Sequence, residues 1–246
     1  MISVCMATYN GERFIKEQID SILCQLSPDD ELVISDDGST DRTLEIIASY
    51  NDARIKVFHN RKKTNPYYPS LNVCYSTSNF ENALTNAKGD YIFLSDQDDI
   101  WEKHKVKDSL SLLQKYDYVI HNFSVIDSGG KILNAQYYKN SPLSFNPLKD
   151  IVHPNFWGCC SCFRKKILKK ALPFPEKICL HDLWLGLVAE RFFRCCWNDS
   201  VLIRHRIYES NTSSGLRKSE NSLTLKIRYR INALQALYKL HKEQTK

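Results

Sequence analysis

Residues 91–101 read YIFLSDQDDIW: an apolar run, Tyr91–Ser95, passes without a spacer into Asp96-Gln97-Asp98-Asp99 and closes on Ile100-Trp101. The run is short and apolar throughout, which suits a strand buried in a parallel sheet. In open α/β sheets, ligands gather beyond the carboxyl ends of the strands. Three carboxylates within four residues repel one another unless a cation holds them or water screens them. Oxygen ligands of this kind suit Mg²⁺ or Mn²⁺ kept open toward a phosphate. A solvated acidic turn or a helix cap would use the same residue types. The apolar strand on one side and Trp101 on the other favour a site.

Upstream, the same strand-then-carboxylate pattern recurs between helices. Ile2–Ala7 reads as a buried strand ending in the polar loop Thr8-Tyr9-Asn10-Gly11. Ile15, Ile19, Ile22, Leu23 and Leu26 recur at helical spacing over Glu12–Leu26, and Pro28-Asp29-Asp30 ends that helix. Glu31–Ser35 is a second apolar run, leaving into the turn Asp36-Asp37-Gly38-Ser39. Ser39 or Thr40 is placed to cap the helix of Leu44, Ile47 and Ala48. Arg54–Phe58 alternates as a third strand. Residues 59–77 read as a long basic loop containing Tyr67, Tyr68 and Pro69, placed to line an acceptor path. Phe80, Ala83, Leu84 and Ala87 mark a helix closed by Gly89. This alternation argues a doubly wound, mostly parallel α/β sheet flanked by helices.

The second part of the chain is less regular. Tyr118–Asn122 reads as a strand, Asp127–Gly130 as a turn, Asp182–Phe193 as a buried helix and Val201–Ile203 as a short strand before Arg204-His205-Arg206. Charge divides the chain. Residues 1–102 hold 9 Lys+Arg against 17 Asp+Glu, and residues 103–246 hold 25 against 11, giving +6 in total. An acidic first part suits a bound cation, and a basic second part suits an anionic ligand or surface.

Several classes are excluded. No GxGxxG follows the first strand and no GxxxxGK[ST] occurs, which argues against a dinucleotide oxidoreductase and a P-loop NTPase. A nucleic-acid binder is disfavoured because positive charge comes without a reading motif and the first part is acidic. The nine cysteines lack framework spacing, which predicts packing thiols in a cytoplasmic protein rather than disulfides or zinc. The start MISVCMATYN has no basic region before its apolar stretch, and no apolar run reaches the length of about 18 residues that a membrane span needs.

MATYNGERFIKEQIDSI, ISDDGSTDRT and NFENALTNAKGDYIFLSDQDDIW, in this order, resemble a family 2 glycosyltransferase with the GT-A fold. The SDQDDIW version is most similar to the bacterial rhamnosyltransferase-like branch, which builds surface polysaccharides. The resemblance is close over residues 2–103. It continues in patches through Gly158-Cys159, His181-Asp182-Leu183-Trp184 and 204–214. It implies a catalytic domain over 1–215, with a nucleotide-binding half (1–103) and an acceptor-binding half (104–215), followed by a basic helical extension over 216–246.

The resemblance also implies roles. Thr8, Tyr9 and Asn10 match the loop that lines base and ribose, with Tyr9 placed to contact the base; Asp37 matches the carboxylate that accepts a hydrogen bond from the base, and Asp36 stands beside it. Asp96, Asp98 and Asp99 match the DxD-type element, with Asp99 on the metal and Asp98 on the ribose, or the two exchanged. Gly158, Cys159 and Trp184 match residues near the sugar and acceptor, and Asp182 matches the general base of an inverting reaction. An ordinary helix N-cap would also account for Asp182. Two departures stand out: Tyr208 occupies the position of a branch histidine, and Ser78 stands where many relatives carry Arg. His205 and Arg206 are left as diphosphate candidates, with a solvated strand end as the alternative.

The implied reaction moves a sugar from a dTDP- or UDP-linked donor to a glycan acceptor, lipid-linked in the fullest version, with Mn²⁺ or Mg²⁺ as cofactor. The competing class is a catalytically silent nucleotide-sugar or polyanion binder. The helix over Leu223–Leu240 carries Ile227, Ile231, Leu234 and Tyr238 on one face with Lys and Arg around it. That face either lies peripherally on an anionic membrane or packs on the domain.

Overall fold

Ile2–Thr8 forms strand β1, and buried apolar side chains on both of its faces place it mid-sheet. The computed structural model describes residues 1–61, 65–68, 73–209 and 222–243. β1 pairs in parallel with β2 (Glu31–Asp36) and β4 (Tyr91–Ser95), and β2 pairs in parallel with β3 (Ile55–His59). The carboxyl ends of β1, β2 and β4 therefore lie side by side. That register brings the Thr8, Asp36 and Asp96 loops to one edge.

The second half completes the sheet with mixed pairing. The remaining strands are β5 (Ile100–Trp101), β6 (Tyr118–Ile126), β7 (Ile132–Asn134), β8 (Ser161–Arg164) and β9 (Cys195–Arg206). The order is β3-β2-β1-β4-β8-β6-β9-β5, with β7 on β6. β8 runs antiparallel to β4 and β6, while β6 and β9 are parallel. The two residues of β5 pair antiparallel with Arg204 and Ile203 of β9, which fixes the carboxylate loop against the far end of the sheet. β9 is much longer than the Val201–Ile203 expected. Its polar middle, Asn198-Asp199-Ser200, hides the strand pattern, and the β6 register shifts there. β6 likewise runs to Ile126, with all nine residues buried.

The helices are α1 (Ile15–Leu23), α2 (Thr43–Ser49), α3 (Val73–Asn86), α4 (Lys105–Leu113), α5 (Pro147–Asp150), α6 (Leu168–Ala171), α7 (His181–Phe192) and α8 (Leu223–Glu243). α1 is shorter than Glu12–Leu26 because residues 25 and 26 turn back onto the carbonyls of Ile22 and Leu23. Neither Ser39 nor Thr40 caps α2. Asp41 accepts from Thr43 N at 3.0 Å instead, and Ser39 bonds to Asp36. α3 begins at Val73, inside the stretch expected as loop, of which 62–64 and 69–72, including Pro69, lie outside the described residues. Tyr68 is 2% exposed and packs with Cys179 under α8, so it is core rather than a path lining.

Cys5, Cys159, Cys160, Cys162, Cys179 and Cys196 are buried free thiols. Cys24 is exposed, not packed as expected, and the side chain of Cys74 lies outside the described set. Among the described residues, no helix is long and apolar enough to cross a membrane.

Candidate functional site

The β1 and β2 loops lock together through Asp36. Its Oδ2 accepts from Thr8 Oγ1 (2.9 Å) and Ser39 Oγ (2.6 Å), and its Oδ1 from the backbone N–H of Gly38 and Ser39. Gly38 takes φ 81°, which favours glycine, so the chain can turn tightly beneath the carboxylate. Asp36 is fully buried, and its placement shapes the loop rather than facing a base. Tyr9 is the outward member, while Asp37 is buried beside it. Tyr9 is 44% exposed, and Asp37 Oδ1 accepts from Asn60 Nδ2 at 2.7 Å. Asn10, at φ 47°, accepts from Thr40 N on Oδ1 and donates its own N–H to Ser39 Oγ.

Gln97 ties this loop to the carboxylate loop. Its Oε1 accepts from Tyr9 N (2.9 Å) and its Nε2 donates to Tyr9 O (3.0 Å), imitating a strand pair. Gly11 is required beneath it, because a Cβ there would sit 2.5 Å from Gln97 Oε1. Gln18, fully buried on α1, donates to Ser95 Oγ (2.7 Å) and Asp96 O (3.0 Å). Asn79 on α3 donates to Thr8 O at 3.1 Å. Sequence reasoning missed all four partners, including Asn60. The only signal was amide residues placed where an apolar or charged residue would have been ordinary.

The three carboxylates of the DxD-type loop differ in their surroundings. Asp99 is 1% exposed, and its Oδ1 accepts from His205 Nδ1 (2.8 Å) and Arg206 N (3.2 Å). Burial opposes its charge, but His205 and the Arg206 N–H outweigh burial and hold it below the ordinary carboxylate range. His205 is raised correspondingly to about 9, the Asp99 charge overcoming the cost of burial. Asp96 and Asp98 are half-buried and have no such partner. Burial, with Asp99 next, pushes them up to about 7 and about 6. Tyr208 donates its hydroxyl to Asp98 Oδ2 at 2.7 Å and packs tilted against Phe14, ring centroids 4.9 Å apart. The residue that departs from the branch pattern thus still faces the acid loop.

The diphosphate assignment to Arg206 does not hold. Its side chain is 2% exposed and lies over Phe14. It donates to Glu17 Oε2 (2.5 Å), Asp98 O (3.0 Å), Asp127 O and Ser128 O. His205 is likewise turned inward onto Asp99. Both residues anchor the loop instead of awaiting a phosphate, because β9 runs through the sheet where a solvated strand end was expected.

Asp182 stands in the first turn of α7. It is half-buried, its Oδ1 accepts from Leu183 N at 2.7 Å, and burial pushes it up to about 6. Its charge adds to those that raise Asp96, after burial, Asp99 and Asp98. Gly158 packs against this helix head. A Cβ there would lie 2.9 Å from His181 Nε2 and 3.7 Å from Asp182 Cβ. His181 is stacked on Phe80 with centroids 4.0 Å apart, and burial pushes it down to about 3.

Two residues expected on the acceptor side are elsewhere. Trp184 is 1% exposed and donates to Ala171 O, so it is core of the α6–α7 junction. Cys159 is buried with its thiol against Asp99. The Cys159 carbonyl accepts from Lys105 Nζ at 2.6 Å, a fully buried lysine lying over Trp101. Burial pushes that lysine down.

Ligand atoms of Asp99, Cys159 and His205 lie within 4.8 Å of one another. They offer one oxygen, one sulfur and one nitrogen, a set that suits Zn²⁺ better than Mg²⁺ or Mn²⁺. The oxygen donors Asp96 and Asp98 fit the harder ions.

Residues 3–172 match the family described as Glycosyl transferase family 2. The chain is 33% identical over 201 residues to the dTDP-rhamnosyl transferase RfbG of Shigella flexneri, covering 73% of this chain and 63% of that one. It is 25% identical over 220 residues to the Escherichia coli UDP-Glc:alpha-D-GlcNAc-diphosphoundecaprenol beta-1,3-glucosyltransferase WfgD, covering 87% and 80%. It spans just under two thirds of an uncharacterized glycosyltransferase of Rickettsia typhi, 66%, at 26% identity over 87% of this chain. Among solved structures, S. aureus TarS 1-349 in complex with UDP-GlcNAc superposes with TM-score 0.64 at 20% identity, covering 97% of this chain and 72% of that one. The mannosyltransferase PcManGT from Pyrobaculum calidifontis, in complex with GDP-Man and Mn2+, does so at 0.58 and 17%, covering 97% and 73%. These two likenesses bear on the fold alone.

Proposed function

Because this chain belongs to glycosyl transferase family 2, we propose that it transfers a sugar, with inversion, from a pyrimidine nucleotide-diphosphate donor to a glycan acceptor in surface-polysaccharide synthesis. The carrying observation is that acid groups stand on two separate elements: Asp96 and Asp98 in the loop after β4, and Asp182, raised to about 6, in the first turn of α7. Inverting displacement needs a base for the acceptor hydroxyl and a separate device for the departing diphosphate. A carboxylate poised near neutral pH takes that proton readily while remaining ionised at pH 7. Tyr9 and Asp37 face the base, with Thr8 and Asn10 shaping the loop. Asp96 and Asp98 would hold Mn²⁺ or Mg²⁺. When bound, that ion offsets the charge building on the leaving phosphates. Asp99 Oδ1 is taken by His205 and Arg206 N, and its buried Oδ2, with no hydrogen-bond partner among the described residues, would be a further ligand to the ion. The 33% identity to a dTDP-rhamnosyl transferase supports a dTDP donor and rhamnose, and the WfgD name supports a lipid-linked acceptor.

Calorimetry with dTDP, UDP and GDP, each with and without Mn²⁺, tests the donor site. Metal-dependent binding of a pyrimidine diphosphate is expected, abolished in Asp98→Ala at an unchanged melting temperature. Binding that ignores Mn²⁺ and survives that substitution would overturn the metal assignment. Asp182→Asn is expected to retain donor binding and lose about 10²–10⁴-fold in transfer. Undiminished transfer by that variant would remove Asp182 as the base.

A further inference from the structure

Helix α8 has two faces with different surroundings. Ala233 and Leu237 are buried in the core, and Tyr229, Ala236 and Leu240 pack partly buried against it. Asn232 Nδ2 donates to the hydroxyl of Tyr68 at 2.5 Å, and the helix lies against α7, which begins beside Asp182. At about 3.6 residues per turn, Leu223, Ile227, Ile231, Leu234 and Tyr238 form a separate stripe. Four of them are solvent-exposed: Leu223 by 70%, Ile227 by 45%, Ile231 by 47% and Tyr238 by 60%. Of the face left open between membrane and domain, Leu234 packs partly against the core and the other four residues are turned to solvent.

Charge selects what covers this stripe. Arg228, Lys239 and Lys242 are exposed along one border, and Lys226 and Arg230 follow the other. The helix carries five Lys or Arg against one Glu. Apolar side chains bordered by cations match an anionic bilayer interface, where the former enter the acyl boundary and the latter reach lipid phosphates. Tyr238, with an apolar ring and a polar tip, suits that depth. A second copy of the helix would instead oppose cation to cation. We propose that α8 seats the protein on an anionic membrane through Leu223, Ile227, Ile231 and Tyr238, while its inner face keeps it docked. The seat does not depend on the transferase reading. It places α7, which α8 packs against, toward the membrane side.

Flotation of the full chain with vesicles tests this. With phosphatidylglycerol and phosphatidylcholine mixed, the protein is expected to float; with phosphatidylcholine alone, it is expected to stay behind. About 0.5 M salt should strip it, because screening at that strength weakens surface attraction. I227S/I231S should lose at least about 10-fold in partitioning at an unchanged melting temperature, since both residues are exposed. R228Q/K239Q/K242Q should weaken binding to the anionic vesicles only. Wild type that stays behind, or I227S/I231S that floats equally well, overturns the proposal. So does sedimentation showing a wild-type dimer that I227S/I231S dissociates, which would make the stripe an interface between copies.

Discussion

Arg206 holds four acceptors from three elements, and its type alone pointed elsewhere. Three successive basic or imidazole residues at 204–206 look like one patch in a sequence. In the strand each has its own duty: Arg204 pairs with Glu102, His205 with Asp99 and Arg206 with Glu17 and three carbonyls. Arg206→Ala should therefore destabilise the fold by about 3 kcal/mol, read as a shifted denaturation midpoint, while Arg204→Ala should cost under about 1 kcal/mol. Equal small effects would return Arg206 to the ligand-facing side. The carboxylates were legible because strand ends announce them. Their division of labour was not, since it depends on Tyr208 and His205 arriving more than a hundred positions later. Trp184 entered through the resemblance alone, and its indole N–H is satisfied by the Ala171 carbonyl inside the core.

Among elements, the carboxylate loop gains its shape from amides. Gln97→Ala removes two bonds to the Tyr9 backbone and leaves the strands intact. At about 1 kcal/mol each, their loss is expected to weaken nucleotide-diphosphate binding by about 10-fold with little change in melting temperature. Calorimetry beside a thermal scan separates the two, and a large thermal loss would make Gln97 a fold residue. β1, β2, β3 and β4 were readable because apolar runs of five to seven residues have few other uses. β9 was truncated in the reading, since its polar centre suits a sheet margin where a bulge turns side chains to water. The start of α3 is hard to read because Val73–Thr77 follows an aperiodic basic stretch and shows only one turn of apolar spacing before Phe80.

For the molecule as a whole, the buried ionisable groups set a pH response. Glu190 on α7 faces Asp150 at α5, and burial, then that carboxylate, raises it from 4.5 to about 9. A carboxyl raised on folding stays protonated in the native state while the unfolded chain ionises, so stability falls as pH rises from about 4.5 toward 9. His205, raised from 6.5 to about 9, acts in the same direction, its contribution present below 6.5 and lost through about 9. The melting temperature should therefore decline between pH 6.5 and 9, and Glu190→Gln should flatten that decline. A level profile in the wild type would contradict both assignments. The strand–helix alternation of the first half was legible because each unit is local, while its helix ends, such as the start of α3, were not. The second half was not, since its antiparallel and parallel pairings join segments far apart in the chain. The pairing of β5 with β9 has a consequence for synthesis. A chain leaving the ribosome exposes Asp96, Asp98 and Asp99 about a hundred residues before His205 and Arg206 emerge to hold them. Nascent chains halted before residue 200 thus carry the acid loop without its clamp, and ligand capture has to wait for the last strand of the sheet.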